Sequence, residues 1–378
     1  MNKPFKIYII AGEASGDYHA GMLLKALKEL NPQIEAKGWG GNSLKAAGME
    51  IEIPYEKTNF MGFVEVIKNL AYILKLFKTT KKSIQNFKPD LLLLVDYPGF
   101  NLRMAQWAKR QNLPVFYFIA PQIWAWKESR IKIIQECVQK LFVILPFEKE
   151  YFSKFNIPSS YHGHPLMERI AVFKSAIGFR KQWNLNNKSI IAILPGSRKQ
   201  EIQLLLPDYL DAVKGECKYQ VVIAGMQQHR ELYHQILESK KMNFPIVYDD
   251  MYSLLKHSKM AMVTSGTASL ETALFGVPEV VCYKGNIFSY WIALKLVKIK
   301  FIALANLIVN KKIVVELIQN ECNPDRIRSE IDNLKNPQYR NTVKLELKIL
   351  QAKLFEIGCY QEIAKDFMNS ISTLKNER

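Results

Sequence analysis

The feature that most constrains this chain is an apolar run that stops abruptly: Leu91, Leu92, Leu93, Leu94 and Val95, then Asp96, Tyr97, Pro98 and Gly99. A strand with one wet face alternates polar and apolar residues, whereas an unbroken apolar run is what a strand buried on both faces needs. Strands covered on both faces belong to parallel sheets flanked by helices. In such open sheets ligands collect at the carboxyl ends of the strands, which is where Asp96 falls. A carboxylate there has two readings, a reactive group or a cap for the next helix.

At 378 residues the chain is too long for one comfortable hydrophobic core, so two domains are expected. Its 48% apolar and 23% charged residues exclude a disordered chain. The formal charge of +17 asks for an anionic partner: nucleic acid, anionic lipid or a phosphorylated substrate. The five cysteines (Cys137, Cys217, Cys282, Cys322 and Cys359) are scattered and have no CxxC spacing, so neither a disulfide framework nor a zinc site is expected. The opening MNKPFKIYIIAGE runs directly into a strand without the apolar core of a signal peptide, which points to a cytoplasmic protein. The most apolar long segment, Ile287 to Val309, carries Lys295, Lys298 and Lys300 at its centre, which argues against a membrane-spanning helix.

The first half reads as a series of strands and helices. Lys6 to Ile10 is an expected strand, followed by AGEASGD and a helix through Leu30. Two glycines and a serine there suit close approach of a ligand, or simply a tight turn with Ser15 or Asp17 as helix cap. Gly38, Gly40, Gly41 and Gly48 form a second glycine cluster. From about Gly62 to Phe87 a helix is expected whose apolar side includes Val64, Ile67, Leu70, Leu74 and Phe77, with Lys68, Lys75, Lys78, Lys81 and Lys82 around it. By pattern alone this is a core helix with a lysine face, or one that lies on a membrane. After the strand Pro114 to Ile119, Trp124 and Trp126 offer a stacking wall for a sugar ring or a hydrophobic plug. His162 and His164 lie at an expected interdomain hinge, without the partner cluster a metal site requires.

The rhythm restarts at the strand Ser189 to Leu194, which leads to Gly196, Ser197 and Arg198: a flexible turn, a hydroxyl and a guanidinium suited to an anion. After the strand Met260 to Val263 come Ser265, Gly266 and Thr267, with Glu271 one turn on. A capping box would place the acid three residues after the hydroxyl rather than four, so this spacing favours a ligand, with phosphates at the helix start and ribose at Glu271. No GxxxxGK[ST], no complete GxGxxG with its acid and no DxD is present. This argues against a P-loop NTPase and against a dehydrogenase, and a pyrophosphate would be neutralised by basic groups and helix dipoles rather than by metal. From Asn323 onward the chain is helical and lysine-rich with no evident chemistry.

Nine stretches in order (AGEASGD, MGFVEV, DYPGFNLR, WAWKESR, LPFEKEYF, GHPL, LPGSRKQEI, SGTASLE and ELIQ) resemble the lipid-A-disaccharide synthase family over about residues 5 to 320. The resemblance implies an α/β protein of GT-B type, two Rossmann-like domains facing a cleft. The boundaries expected are 1–166 for the acceptor and membrane side, 167–345 for the UDP-sugar side, and a helical segment 346–378 that packs back on the first domain or is exchanged in a dimer. It implies an inverting, metal-independent transfer from UDP-2,3-diacylglucosamine to 2,3-diacylglucosamine 1-phosphate, giving the β(1→6) disaccharide and UDP, with no cofactor. Asp96 becomes the base. Gly196, Ser197, Arg198, Ser265, Gly266, Thr267, Glu271 and Asn306 become donor-site residues, although Ala305 stands where family members carry proline before that asparagine. Gly12, Glu13, Ser15, Asn101 and Trp124 fall on the acceptor side. Membrane or acyl contact becomes the favoured reading of Val64, Ile67, Leu70, Leu74 and Phe77, and the positive charge fits the anionic inner-membrane surface. Family members include homodimers with exchanged C-terminal segments. The rivals are a cell-wall glucosaminyltransferase, a UDP-sugar epimerase or, on charge alone, a nucleic-acid-binding protein; no nucleic-acid motif supports the last.

Overall fold

The computed structural model describes residues 4–58, 70–124, 128–285, 300–355 and 358–376. The chain forms two compact units: Met1–Pro165 together with Glu356–Arg378, and Leu166–Phe355.

The first unit holds a seven-stranded sheet. Its strands are β1 (Phe5–Ala11), β2 (Ile34–Gly40), β3 (Glu50–Pro54), β4 (Leu91–Val95), β5 (Val115–Phe118), β6 (Lys140–Val143) and β7 (Ser159–Tyr161). All pair in parallel, in the order β3-β2-β1-β4-β5-β6-β7. The leucine run is β4, at the centre, and its five residues are all buried. Because side chains alternate along a strand, Leu92 and Leu94 enter one core layer and Leu91, Leu93 and Val95 enter the other.

The first layer is covered by helices Leu70–Phe87 and Pro98–Arg110. The second is covered by helices Ala14–Leu30 and Cys359–Asn376. The last helix was expected to carry no chemistry, yet it completes this core: Phe367 is fully buried, 4.9 Å from the Phe116 ring and 5.8 Å from that of Phe142. Asp366 on the same helix bonds His162 at 2.9 Å and Lys140 at 3.1 Å. Burial alone would raise the Asp366 carboxyl; His162, Ser160 and Lys140 reverse that and hold it well below the carboxylate range. The two histidines therefore have structural surroundings. His164 is buried, and burial together with nearby His19 pushes its imidazole down to about 3, so it is neutral at physiological pH.

The glycine cluster is partly strand. Gly38 and Gly40 lie in β2, and a Cβ on Gly38 would run into the backbone of Ile9 on β1. The helix expected from Gly62 is described from Leu70 onward; Val64 and Ile67 lie outside the described residues. Phe77 does not belong to an outer face. It is buried and stacks on Phe100 at 4.1 Å. Leu70 and Leu74 are 49% and 58% exposed, and Lys75, Lys78 and Lys82 are exposed beside them.

The second unit repeats the plan with six parallel strands: β8 (Ile190–Leu194), β9 (Gln220–Gly225), β10 (Ile246–Tyr248), β11 (Ser258–Thr264), β12 (Glu279–Tyr283) and β13 (Val315–Ile318). Their order is β10-β9-β8-β11-β12-β13. In each sheet the winding direction reverses once, between β1 and β4 in the first and between β8 and β11 in the second. At such a switch point the connections leave in opposite directions and open a crevice beyond the strand ends. Ala11 pairs with Val95 and Leu194 with Val263. Gly12 and Asp96 therefore emerge side by side at one switch point, and the loops beginning at Pro195 and Ser265 flank the other.

Candidate functional site

At the first switch point Asp96 has φ 46° and Tyr97 φ 50°. Two successive non-glycine residues in the left-handed region are uncommon and cost about 1–2 kcal/mol each. Burial first, and the Glu13 charge second, push the Asp96 carboxyl up to about 6, with the Tyr97 backbone N–H opposing. Glu13 is the N-cap residue of helix Ala14–Leu30, while Ser15 and Asp17 lie inside it, and Ser15 is exposed. Asp17 instead caps a neighbour, accepting the backbone N–H groups of Gly41 (2.6 Å), Ser43 (3.0 Å) and Leu44 (3.2 Å). Gly12 is small for a local reason: a Cβ there would sit 2.6 Å from the Tyr97 ring. The Tyr97 hydroxyl donates to the Thr58 carbonyl at 2.6 Å, and the Thr58 hydroxyl donates to the Gly12 carbonyl at 3.1 Å, tying the two strand ends together.

Asn101, expected beside a ligand, is wholly buried. Its amide donates to the backbone carbonyls of Asp96 (2.7 Å) and Val95 (3.2 Å), so it shapes the strand end from within. Trp124 is half-buried, and its indole N–H donates to Glu148 at 2.9 Å. Burial raises the Glu148 carboxyl to about 7 against the pull of Trp124 and the Leu145 and Ile144 amides. Ala125, Trp126 and Lys127 lie outside the described residues.

The second switch point opens into a cavity of about 710 Å³ lined entirely by residues of the second unit. Gly196, Ser197, Arg198, Ser265, Gly266, Thr267 and Glu271 all line it. Gly196 has φ 98°, and the Glu201 side chain occupies the space its Cβ would need, so this turn requires glycine. Arg198 is 62% exposed with its guanidinium 3.3 Å from Glu201; an exposed pair of this kind is worth little, which leaves the guanidinium available to an anion. Thr267 opens the helix Thr267–Leu274 behind Gly266, and no side chain caps those first amides. Glu271 is buried and accepts the Tyr252 hydroxyl at 2.5 Å. Burial raises its carboxyl, opposed by Tyr252 and by Arg169, whose guanidinium lies 4.8 Å from the Tyr252 ring.

Asn306 is not part of this cavity. It is fully buried; its amide donates to the Val314 carbonyl and Glu316, and its oxygen accepts from the Ile313 and Val314 amides. Every polar atom of that side chain is used in holding helix Leu304–Val309 against β13. Sequence reasoning missed Arg169, Tyr252, Asp249 and Asp250, which also line the cavity. They come from segments remote from the glycine turns, and only the sheet order brings them there. Among the described residues no group of three or more His, Cys, Asp or Glu is placed to hold a metal ion.

The whole chain is similar to solved structures of low identity, which speak for the fold alone. One is the UDP-GlcNAc 2-epimerase from Neisseria meningitidis, solved with UDP-GlcNAc (TM-score 0.64, 14% identical, 98% of this chain and 100% of that one). Another is a glycosyltransferase of kitacinnamycin (TM-score 0.66, 13% identical, 98% of this chain and 100% of that one). Two parallel α/β sheets, each with its loops gathered at a switch point, give this chain the GT-B fold seen in those two structures. Within that fold the sequence is more specific. It is 37% identical over 344 residues to lipid-A-disaccharide synthase 1 of Legionella pneumophila, covering 89% of each chain. To the lipid-A-disaccharide synthase of Coxiella burnetii it is 35% identical over 372 residues, covering 97% of this chain and 98% of that one. The family model for lipid-A-disaccharide synthetase matches residues 7–365. The chain belongs to the lipid-A-disaccharide synthase family, and it is a disaccharide-forming glycosyltransferase.

Proposed function

We propose that the protein transfers 2,3-diacylglucosamine from its UDP derivative to the 6-hydroxyl of 2,3-diacylglucosamine 1-phosphate, with inversion at the anomeric carbon. The observation that carries this is Asp96, a carboxylate with a raised proton affinity at the switch point beside Glu13. On this reading Asp96 accepts the hydroxyl proton as the acceptor oxygen bonds to the anomeric carbon. The bond from that carbon to the pyrophosphate oxygen breaks with its electron pair, and UDP leaves. Ser197, Arg198 and the uncapped amides at Thr267 are suited to the pyrophosphate charge, and Glu271 to the ribose hydroxyls. The test is a radiolabelled assay with the two diacyl substrates. UDP release that depends on the diacylated acceptor supports the reading. Release or epimerisation without it overturns the reading.

Membrane contact rests on the exposed Leu70 and Leu74 beside exposed Lys75, Lys78 and Lys82. Among the described residues no helix is long and apolar enough to cross a bilayer, so this face would lie on the surface of an anionic leaflet. Replacing Leu70 and Leu74 by serine should weaken binding to vesicles containing anionic lipid by roughly a hundredfold, on ~1.5 kcal/mol for each leucine withdrawn from water. Flotation unchanged by the double substitution would remove this face from the membrane.

A further inference from the structure

We propose that Tyr117 is a positioning residue for Asp96, its hydroxyl holding the left-handed backbone that aims the carboxylate. The inference rests on the reading of Asp96 as the base. Asp96 and Tyr97 leave β4 at φ 46° and 50°, a path that relaxes unless the surroundings enforce it. Tyr117 stands on the neighbouring strand, paired with Leu94, and is wholly buried. Its hydroxyl reaches beyond the end of β4 and donates to the Asp96 carbonyl at 2.5 Å. The Asn101 amide donates to the same carbonyl at 2.7 Å, and the Asp96 N–H donates to the Phe118 carbonyl at 3.1 Å.

The Asp96 N–H and carbonyl are thus both held, the one by a backbone carbonyl and the other by two wholly buried side chains. Tyr117 is the more telling of the two side chains. Asn101 also serves the Val95 and Ile10 carbonyls, whereas the Tyr117 hydroxyl donates to the Asp96 carbonyl and has Asn101 as its side-chain neighbour. The charged and titratable groups acting on this pair are Glu13 from the loop after β1, Tyr97, and Arg130 from the segment after β5, itself influenced by Arg103. None of them replaces the hydroxyl. Without it the Asp96 carbonyl loses one of two donors, and the carboxylate can swing toward water and away from its aim.

The experiment is Tyr117→Phe in the full-length protein, with kcat and KM measured across pH. Tyr8→Phe is the control: Tyr8 is equally buried on β1, but its hydroxyl donates to Glu52 at 2.7 Å, away from the site. Tyr117→Phe should lower kcat about ten- to a hundredfold, as for a misplaced catalytic group, with the donor KM within about twofold. The acid limb of its kcat profile should move from near pH 6 toward the ordinary carboxylate range as Asp96 becomes hydrated. Tyr8→Phe should change neither. Wild-type kcat with an unmoved limb overturns the proposal, as does a loss of activity that only tracks the folded fraction. Should Tyr117→Phe fold only in part, the same measurements at reduced temperature, normalised to the folded fraction read by circular dichroism, decide. Asp96→Asn run alongside separates the two claims: if it stays active the base assignment fails, and if it is inactive while Tyr117→Phe is normal only this proposal fails.

Discussion

Asp96→Asn is expected to lower kcat by about 10²–10⁴-fold, the range for loss of a general base, with folding and UDP affinity retained. Asparagine has nearly the same shape and keeps the backbone donors and acceptors that hold the strand end. The substitution should not unfold the chain, and the sign of the Asp96 shift says why. Its carboxyl is raised from 3.8 to about 6 in the folded protein. The folded state then binds more protons than the unfolded one between those values, so this group's ionisation removes stability as pH rises through that window. Asparagine removes that loss. UDP affinity should persist because the proposed nucleotide cavity is lined only by residues of the second unit. In the parent protein, turnover should rise with pH through about 6 as the carboxylate forms, and UDP release measured across pH checks both statements. Near-normal turnover in the variant removes Asp96 from the role.

The second large effect is on stability. Glu279 begins β12, where the neighbouring Val280 and Val281 are buried apolar residues. It is 2% exposed, and neither carboxyl oxygen has a hydrogen-bond partner. Burial alone raises its carboxyl well above 4.5. A small cavity beside it is lined by Ile313, Val315, Leu334, Tyr339 and Val343, with Glu330 as the other acid. An unpaired buried polar group costs about 1–3 kcal/mol, and methionine fills the same space without that cost. Glu279→Met should therefore raise the melting temperature by several degrees at neutral pH, at about 2–4 °C per kcal/mol for a unit of this size. The folded pKa is the higher one, so the penalty grows as pH rises above 4.5. The gain over wild type should accordingly be larger at pH 7 than at pH 4. Scanning calorimetry at the two pH values checks it, and a variant less stable than the parent, or a gain independent of pH, contradicts the account.

Much of the architecture was legible because burial leaves a direct trace in composition. The unbroken run at Leu91–Val95 announced a doubly covered strand, and the Gly196 and Ser265 turns announced strand ends. What was not legible follows from long-range contact. Gly38 and Gly40 read only as members of a glycine cluster because their close approach to β1 is a property of the pair of strands. Phe77 read as part of an outer apolar face because its partner, Phe100, lies beyond β4. Asn306 read as a ligand contact because nothing local shows that Glu316 and the Ile313 and Val314 amides satisfy it. Tyr117 was simply one apolar-run residue among others until the register set it beside Leu94.

The last helix has a consequence for how the molecule is made. The second unit is one continuous stretch, Leu166–Phe355, but the first is completed only by residues that follow it. While the ribosome is still adding Cys359–Asn376, the layer formed by Phe116, Phe142 and helix Ala14–Leu30 lacks Tyr360, Ile363 and Phe367. The N-terminal sheet therefore waits with part of one apolar face uncovered while the second unit, synthesised later, already has all its strands. Order of synthesis and order of completion are reversed, so premature termination before Cys359 leaves a chain whose second unit is whole and whose first is sticky, a substrate for chaperones rather than a shorter enzyme.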